Sequence, residues 1–436
     1  MKKQVLPVLS VLLAAVSGVA CGRANSRPHT TFAISGPCQV ALAPGPRERE
    51  VDRAIGELQD RARQDTRSRD ALEQLGYQFI ARARIANDPG DYKLADNVAQ
   101  CLEEQHPGNP SALLLRGHAL HQLHRFQEAE AIARRLVGMR EFVLDYGLLG
   151  DALMEQGRLT EAAVAYQKMI DLKPFYQSYA RAAHLRWLTG DLDGAIDLIH
   201  KAIDAASPRN RESVAWAYTR LALYELQRRH LTEAERAIDA ALSFQPAYPA
   251  ALLTRGRVLL ARERPADAIE VLDEAARLNP LPEYQWALAD ALRRRGLDRK
   301  AEPVERDLVN RGAQSDPRTV ALFLATRHVD AQHALTLSER ELLGRQDVFT
   351  QDAHAWALAA AGRTDEARTA MRRALAANTE DGRLYLHAGV IAAAAGQRVE
   401  ARRWLARAET FHTTLLPSEL DTLRRYRSGL TPTKGD

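Results

Sequence analysis

The chain has 436 residues, 46% hydrophobic and 27% charged, values of an ordinary folded protein rather than of a disordered or multi-span membrane one. Aromatics are only 6%, which favours an Ala-, Leu- and Arg-rich helical fold over a β-sandwich. Sixty basic against 56 acidic residues leave a net charge of +4; the arginines alternate with Asp and Glu instead of forming a basic stripe, so nucleic acid is not an expected partner.

The N-terminus reads as an address. Met1-Lys2-Lys3 is a short positive stretch, and Val5 to Val19 is apolar apart from Pro7, Ser10, Ser17 and Gly18. As a helix that run rises about 22 Å, short of the roughly 30 Å hydrocarbon core of a bilayer. Residues 1–20 are therefore expected to be a secretory signal peptide rather than a membrane span. The sequence Gly18-Val19-Ala20-Cys21 resembles a bacterial lipobox, with Gly18 where an apolar residue such as Leu is usual. The resemblance implies lipidation at Cys21 and a membrane anchor in the cell envelope. Gly22, in place of Asp, resembles the outer-membrane sorting class facing the periplasm. The alternative is a soluble secreted or periplasmic protein.

Three cysteines are present. With Cys21 lipidated, Cys38 and Cys101 are left as a candidate disulfide in an oxidising compartment, or as two unrelated thiols. Residues 21–49 carry Gly36-Pro37, Pro44-Gly45-Pro46 and several Ser and Thr, and read as a flexible tether. Helical patterning is expected from Glu50.

The body, residues 50–415, is one repeated unit. Its clearest copy runs Leu148-Leu149-Gly150-Asp151-Ala152-Leu153, then Gly157-Arg158-Leu159-Thr160-Glu161-Ala162, then Tyr166 and Leu172-Lys173-Pro174. The Ala of its second helix recurs at Ala95, Ala129, Ala162, Ala195, Ala234, Ala268, Ala301, Ala334, Ala367 and Ala401. The intervals are 33 or 34 residues except for one of 39. A small residue marks the first helix at Gly76, Gly117, Gly150, Ala183, Ala222, Gly256, Ala289, Ala355 and Gly389. This pattern resembles the tetratricopeptide repeat, and from Ser178 onward the ordering is similar to a bacterial family of such repeats without an assigned role.

The resemblance implies an all-α fold, a superhelical solenoid of about ten helix-turn-helix repeats forming a curved rod. Asn87 to Lys93 is expected to be an inserted turn. The unit around Ala334, which lacks the turn Gly, is expected to be irregular. Residues 416–436 are expected to give a C-terminal capping helix and a tail.

No HExxH, Walker, GxSxG or GxGxxG pattern occurs, so neither an enzyme nor a cofactor is expected. In arrays of this type the second, fifth, ninth and twelfth positions of the first helix face the concave groove. Applied here, they give an aromatic series of Tyr77, Trp187, Trp216, Trp286, Phe349 and Trp356. Asp151, His184, Arg257, Asp290 and Arg293 are interspersed among them. Trp and Tyr bury much area at little rotamer cost, which suits partner anchors. His118 and His121 fall at the ninth and twelfth positions of one helix and, with Asp151, raise the alternative of a metal- or small-ligand-binding protein. The favoured expectation is an exported, lipid-anchored scaffold that holds a peptide or protein segment in its groove. A second is an accessory subunit of an envelope biosynthesis or secretion complex. A chaperone-type carboxylate clamp is not favoured, since no Asn stands at the ninth position.

Overall fold

The structure, a computed structural model, describes residues 36–65, 68–86 and 88–430, with the side chains of 85 and 86 left aside. The expected signal peptide, Cys21 and the tether as far as residue 35 lie outside these residues, as does the tail from Thr431.

Among the described residues the fold is all helix. Two helices come first, α1 (Pro37–Ala41) and α2 (Glu50–Gln64). Ten helix pairs follow. The first five are α3 (Arg69–Ala86) with α4 (Pro89–Gln105), α5 (Pro110–Gln122) with α6 (Phe126–Met139), α7 (Val143–Glu155) with α8 (Leu159–Leu172), α9 (Tyr176–Leu188) with α10 (Leu192–Ala205), and α11 (Arg211–Gln227) with α12 (Leu231–Phe244). The second five are α13 (Pro249–Ala261) with α14 (Pro265–Leu278), α15 (Pro282–Arg294) with α16 (Asp298–Ser315), α17 (Pro317–Arg327) with α18 (Ala331–Leu342), α19 (Val348–Ala360) with α20 (Thr364–Leu375), and α21 (Gly382–Ala394) with α22 (Arg398–Thr410). A 3₁₀ turn, His412–Thr414, leads into α23 (Pro417–Gly429). The array is a superhelical solenoid.

Small residues hold each pair together. All ten recurring Ala residues of the second helices are 0% exposed. On the first helices, a Cβ added to Gly117 would come within 2.3 Å of Leu148, and one added to Gly150 within 2.2 Å of the Tyr166 ring. The neighbouring helix thus occupies the space a larger side chain would need, and overpacking there costs about 1–3 kcal/mol. Proline at the first position of α5, α13, α15 and α17 starts helices where its missing N–H is not required. Asp191 and Asp381 cap α10 and α21 by accepting from the Gly194 and Arg383 amides, each at 2.8 Å.

Three features differ from the sequence-based expectations. The helical body begins at Pro37, inside the expected tether. Ala41 is fully buried, Gln59 Nε2 donates to the carbonyls of Ala41 (3.1 Å) and Ala43 (2.8 Å), and a disulfide joins Cys38 to Cys101 of α4. Covalent and apolar attachment outweighs the loop-like composition. Second, the inserted turn is mostly helix. Asp88 accepts from the Gly90 amide at 2.8 Å and caps α4, so Pro89 to Lys93 form its first turns. The Ala334 unit is irregular, in line with the expectation: it keeps both helices but shortens them, and its turn places His328 (φ 54°) and Asp330 (φ 50°) in the left-handed region.

The third difference is the largest. The superhelix comes round and touches itself along a seam, a contact that the expectation of a curved rod did not include. The Gln346 amide donates to the Glu155 carbonyl at 3.0 Å, Thr379 Oγ1 to the Leu188 carbonyl, and Thr413 Oγ1 to the Leu226 carbonyl at 2.8 Å. Gln227 Nε2 also donates to the Glu380 carbonyl. Gly157 (φ 75°) and Gly190 (φ 81°) sit at this seam. A Cβ on Gly157 would lie 2.6 Å from the Gln346 carbonyl oxygen, and one on Gly190 2.5 Å from that of Asn378. Elsewhere the same left-handed turn position is filled by His124, Arg229 and Glu263. Glycine at 157 and 190 therefore serves the close approach of the second superhelical turn as well as the backbone conformation.

Candidate functional site

The first helices of the pairs build the inner face of the superhelix. From α7 to α21 they surround a cavity of about 490 Å³, well within the range of about 300–1,000 Å³ usual for ligand pockets. The seam closes one flank: Arg345 pairs with Glu155 at 2.6 Å and with Asp347 at 3.0 Å, and Arg318 reaches Asp347 at 3.4 Å.

On one side the wall comes from α9 and α11. Trp216, Arg220 and Tyr224 succeed one another at four-residue spacing, one stripe of α11. Trp216 is half-buried and meets Tyr176 edge-on at 6.4 Å. The Arg220 guanidinium stands 5.3 Å from the Trp216 ring centre, and among the described residues it has no carboxylate at ion-pair distance. Burial pushes the Tyr224 phenol up to about 12, so it keeps its proton, and its hydroxyl has no partner. His184 also faces the cavity. Burial, with the Arg220 charge second, holds its imidazole down at about 3, and its Nδ1 is unpartnered.

Trp187 spans the seam. Its Nε1 donates to Gln227 Oε1 at 2.7 Å, and its ring stacks on Phe349 with centres 5.5 Å apart. These two aromatics from the expected groove series therefore bind the two superhelical turns to each other. Arg257 lines the next stretch of wall; it pairs with Glu283 at 3.0 Å and leaves Nε without a partner.

On the other side the inner face is filled by the chain's own C-terminal segment. Trp286 is 1% exposed and Trp356 is 3% exposed. Trp286 packs edge-on against Phe323 at 5.7 Å, beneath the Arg383 guanidinium at 5.0 Å. Trp356 stacks on His387 at 4.1 Å and donates to Thr326 Oγ1 at 3.0 Å. Asp290 accepts from Arg327 at 2.7 Å and from both the amide (2.8 Å) and the hydroxyl (2.7 Å) of Ser418. Arg383 pairs with Glu419, and Leu416, Glu419 and Leu423 are buried. Trp286, Asp290 and Trp356 were expected as partner contacts. They are buried instead: Asp290 is held by Ser418 of the C-terminal segment, Trp286 lies under Arg383 at the cavity edge, and Trp356 is packed between Thr326 and His387.

Five further expected residues lie apart from the cavity wall. Tyr77, 38% exposed, borders a separate shallow pocket on α3 with Asp70 and Glu73. Arg293 is engaged by Glu305 at 2.5 Å and Asp298 at 3.3 Å. Asp151 is held by Arg181 at 2.7 Å and accepts from the Tyr166 hydroxyl at 2.8 Å, so it is not free to join His118 and His121 on a metal. Burial keeps His118 neutral, down at about 4, and His121 packs edge-on to Phe126 at 5.2 Å. Among the described residues no group of three or more His, Cys, Asp or Glu is arranged to hold a metal ion. Arg220, Tyr224 and Arg383 were not anticipated. The first two stand one and two helical turns beyond Trp216, a spacing that could have found them; Arg383 had no such signal.

Segments 80–142, 146–177, 219–281, 253–317 and 353–413, together more than half of the chain, match the family described as tetratricopeptide repeat. No curated protein matches the chain. Two solved structures are similar to it: a crystal structure of MamA at 20% identity, covering 37% of this chain and 93% of its own, and a crystal structure of MamA protein at 17%, covering 39% and 92%. Each has a TM-score of 0.31.

Proposed function

The chain belongs to the tetratricopeptide repeat family, and from that premise we propose that it is a non-enzymatic scaffold that holds a segment of a partner protein in the cavity between its two superhelical turns. The observation that carries this reading is the α9–α13 wall. Half-buried Trp216, unpaired Arg220 and part-paired Arg257 face a cavity of about 490 Å³, whereas on the opposite side Trp286 is almost fully buried and Arg383 is already paired with Glu419. An aromatic ring and cations presented to one cavity suit a protein segment. We place the scaffold at the cell envelope, anchored through a lipid on Cys21, which the lipobox-like sequence supports. None of the described helices is long and apolar enough to cross a membrane.

Crosslinking capture from native membranes tests the scaffold reading, comparing the wild-type chain with Trp216→Ala. The expected result is one protein recovered with the wild type and lost with the variant, at unchanged melting temperature. An identical set of captured proteins from both chains would defeat the reading. Fractionation of Cys21→Ser tests the anchor: the protein should leave the membrane pellet, and an unchanged distribution would remove the lipid from the proposal.

A further inference from the structure

The inner face carries an arginine over a tryptophan twice, once between two helices, α21 and α15, and once within one, α11. In the later repeats Arg383 lies 5.0 Å from the Trp286 ring centre, and in the earlier ones Arg220 lies 5.3 Å from that of Trp216. The first copy is occupied. The Glu419 carboxylate pairs with Arg383 and accepts from the Leu416 amide at 2.7 Å, and buried Leu416 and Leu423 flank it. The chain thus shows on its own C-terminal segment what such a position accepts: one carboxylate set between leucines at the start of a helix.

The second copy has the same chemistry and no such occupant among the described residues. Arg220 has no carboxylate partner, although acidic groups are plentiful around the cavity; Glu155 and Asp347 are taken by Arg345 and Arg318, and Glu283 by Arg257. Two further donors line the same cavity on almost fully buried rings, the Tyr224 hydroxyl and Trp286 Nε1, and both lack a partner. Buried donors without partners are costly to maintain. A ligand acceptor would satisfy them.

The geometry points to the Arg220–Trp216 wall as a docking site for a partner segment that carries a single side-chain carboxylate flanked by leucine-type residues, in the manner of the chain's own Leu416–Leu423. This rests on the scaffold reading above and specifies its ligand. A single charge is required because one guanidinium is unmatched. A phosphate would bring a second negative charge among carboxylates that are already paired. The aromatic wall and Leu416 at the cavity floor favour apolar neighbours on either side of the acid.

The test uses the full chain and a fluorescein-labelled synthetic peptide copying Leu415–Tyr426, with anisotropy as readout. A second peptide carries Glu419→Gln, so the carboxylate is removed without altering the protein. The acidic peptide is expected to bind about tenfold more tightly than the Gln peptide, the worth of a charged hydrogen bond. In the Arg220→Gln chain, checked by melting, that preference should vanish and both peptides bind alike. Equal binding of the two peptides to the wild type overturns the carboxylate proposal and leaves the scaffold reading intact. A preference insensitive to Arg220→Gln but lost in Arg383→Gln also overturns it, by placing the peptide in the occupied copy. Binding of neither peptide overturns it as well, and the Trp216→Ala capture then decides the scaffold reading separately.

Discussion

The earlier and later repeats both present aromatic inner faces and use them differently. Around α9–α13, half-buried Trp216 and Arg220 border the cavity; around α15–α21, Trp286, Trp356 and Asp290 are almost fully buried, Trp286 at the cavity edge, Trp356 between α17 and α21, and Asp290 against Ser418 of the C-terminal segment. The rings stand at different points of their helices: Trp216 precedes the small residue Ala222 by six residues and Trp286 precedes Ala289 by three, whereas Trp356 directly follows Ala355. What separates a binding wall from a core is thus where along the helix a ring stands, together with what the neighbouring repeats and the C-terminal segment pack against it.

The sharpest way to break this comparison is to truncate the tryptophans. Trp286→Ala and Trp356→Ala should each destabilise the fold by about 3–5 kcal/mol, whereas Trp216→Ala should cost far less. Thermal melts of the three variants decide it; equal losses would mean that both faces are core. Acid comes next. His184 and His118 stay neutral when folded, at about 3 and about 4 against an ordinary 6.5, and take up protons on unfolding. Stability is therefore full above pH 6.5 and declines as pH falls toward 4, by about 2–3 kcal/mol for His184 alone. The decline should be shallower in His184→Gln, measured by urea midpoints across that range.

A smaller effect separates seam turns from free ones. Gly362 has φ 76° and open space around it, so Gly362→Ala pays only the left-handed penalty of about 1–2 kcal/mol. Gly190→Ala adds the clash with the Asn378 carbonyl and should cost about 1 kcal/mol more. Matching melts for the two variants would argue that the seam contributes nothing. The smallest expected change is at the covered face: Ser418→Ala removes one of three hydrogen bonds to Asp290 and should cost about 1 kcal/mol. That loss should disappear in an Asp290→Leu background, which has no acceptor, if the pair is coupled as the geometry requires.

The pairwise layer of the fold was legible in the residues. The Ala series and Gly76, Gly117 and Gly150 mark contacts between neighbouring helices, where local spacing is the geometry. The first turn of α4 was misread because Pro89 looks like a break; a proline right after a capping Asp begins a helix instead. The seam was not legible. Glu155 and Gln346, or Leu226 and Thr413, meet only after small rotations between many successive repeats have accumulated, and no local pattern encodes their sum. For the same reason the groove rule gave Trp286 and Trp356 as groove residues but not the packing that buries them. Part of the cavity wall was within reach of helical spacing: Arg220 and Tyr224 share the stripe that begins at Trp216.

The seam also fixes how the molecule responds to tension. A solenoid held only by neighbour contacts behaves as a spring whose coils part under small loads. Here the bonds at Glu155, Leu188 and Leu226 fasten successive coils at about one repeat's spacing. Load applied between the two ends reaches these bonds in turn rather than together, so the latch opens as a zipper does, one repeat at a time. Only after it has run open can the coils extend elastically. Pulled at its two ends, the molecule would thus be stiff at first and compliant afterwards.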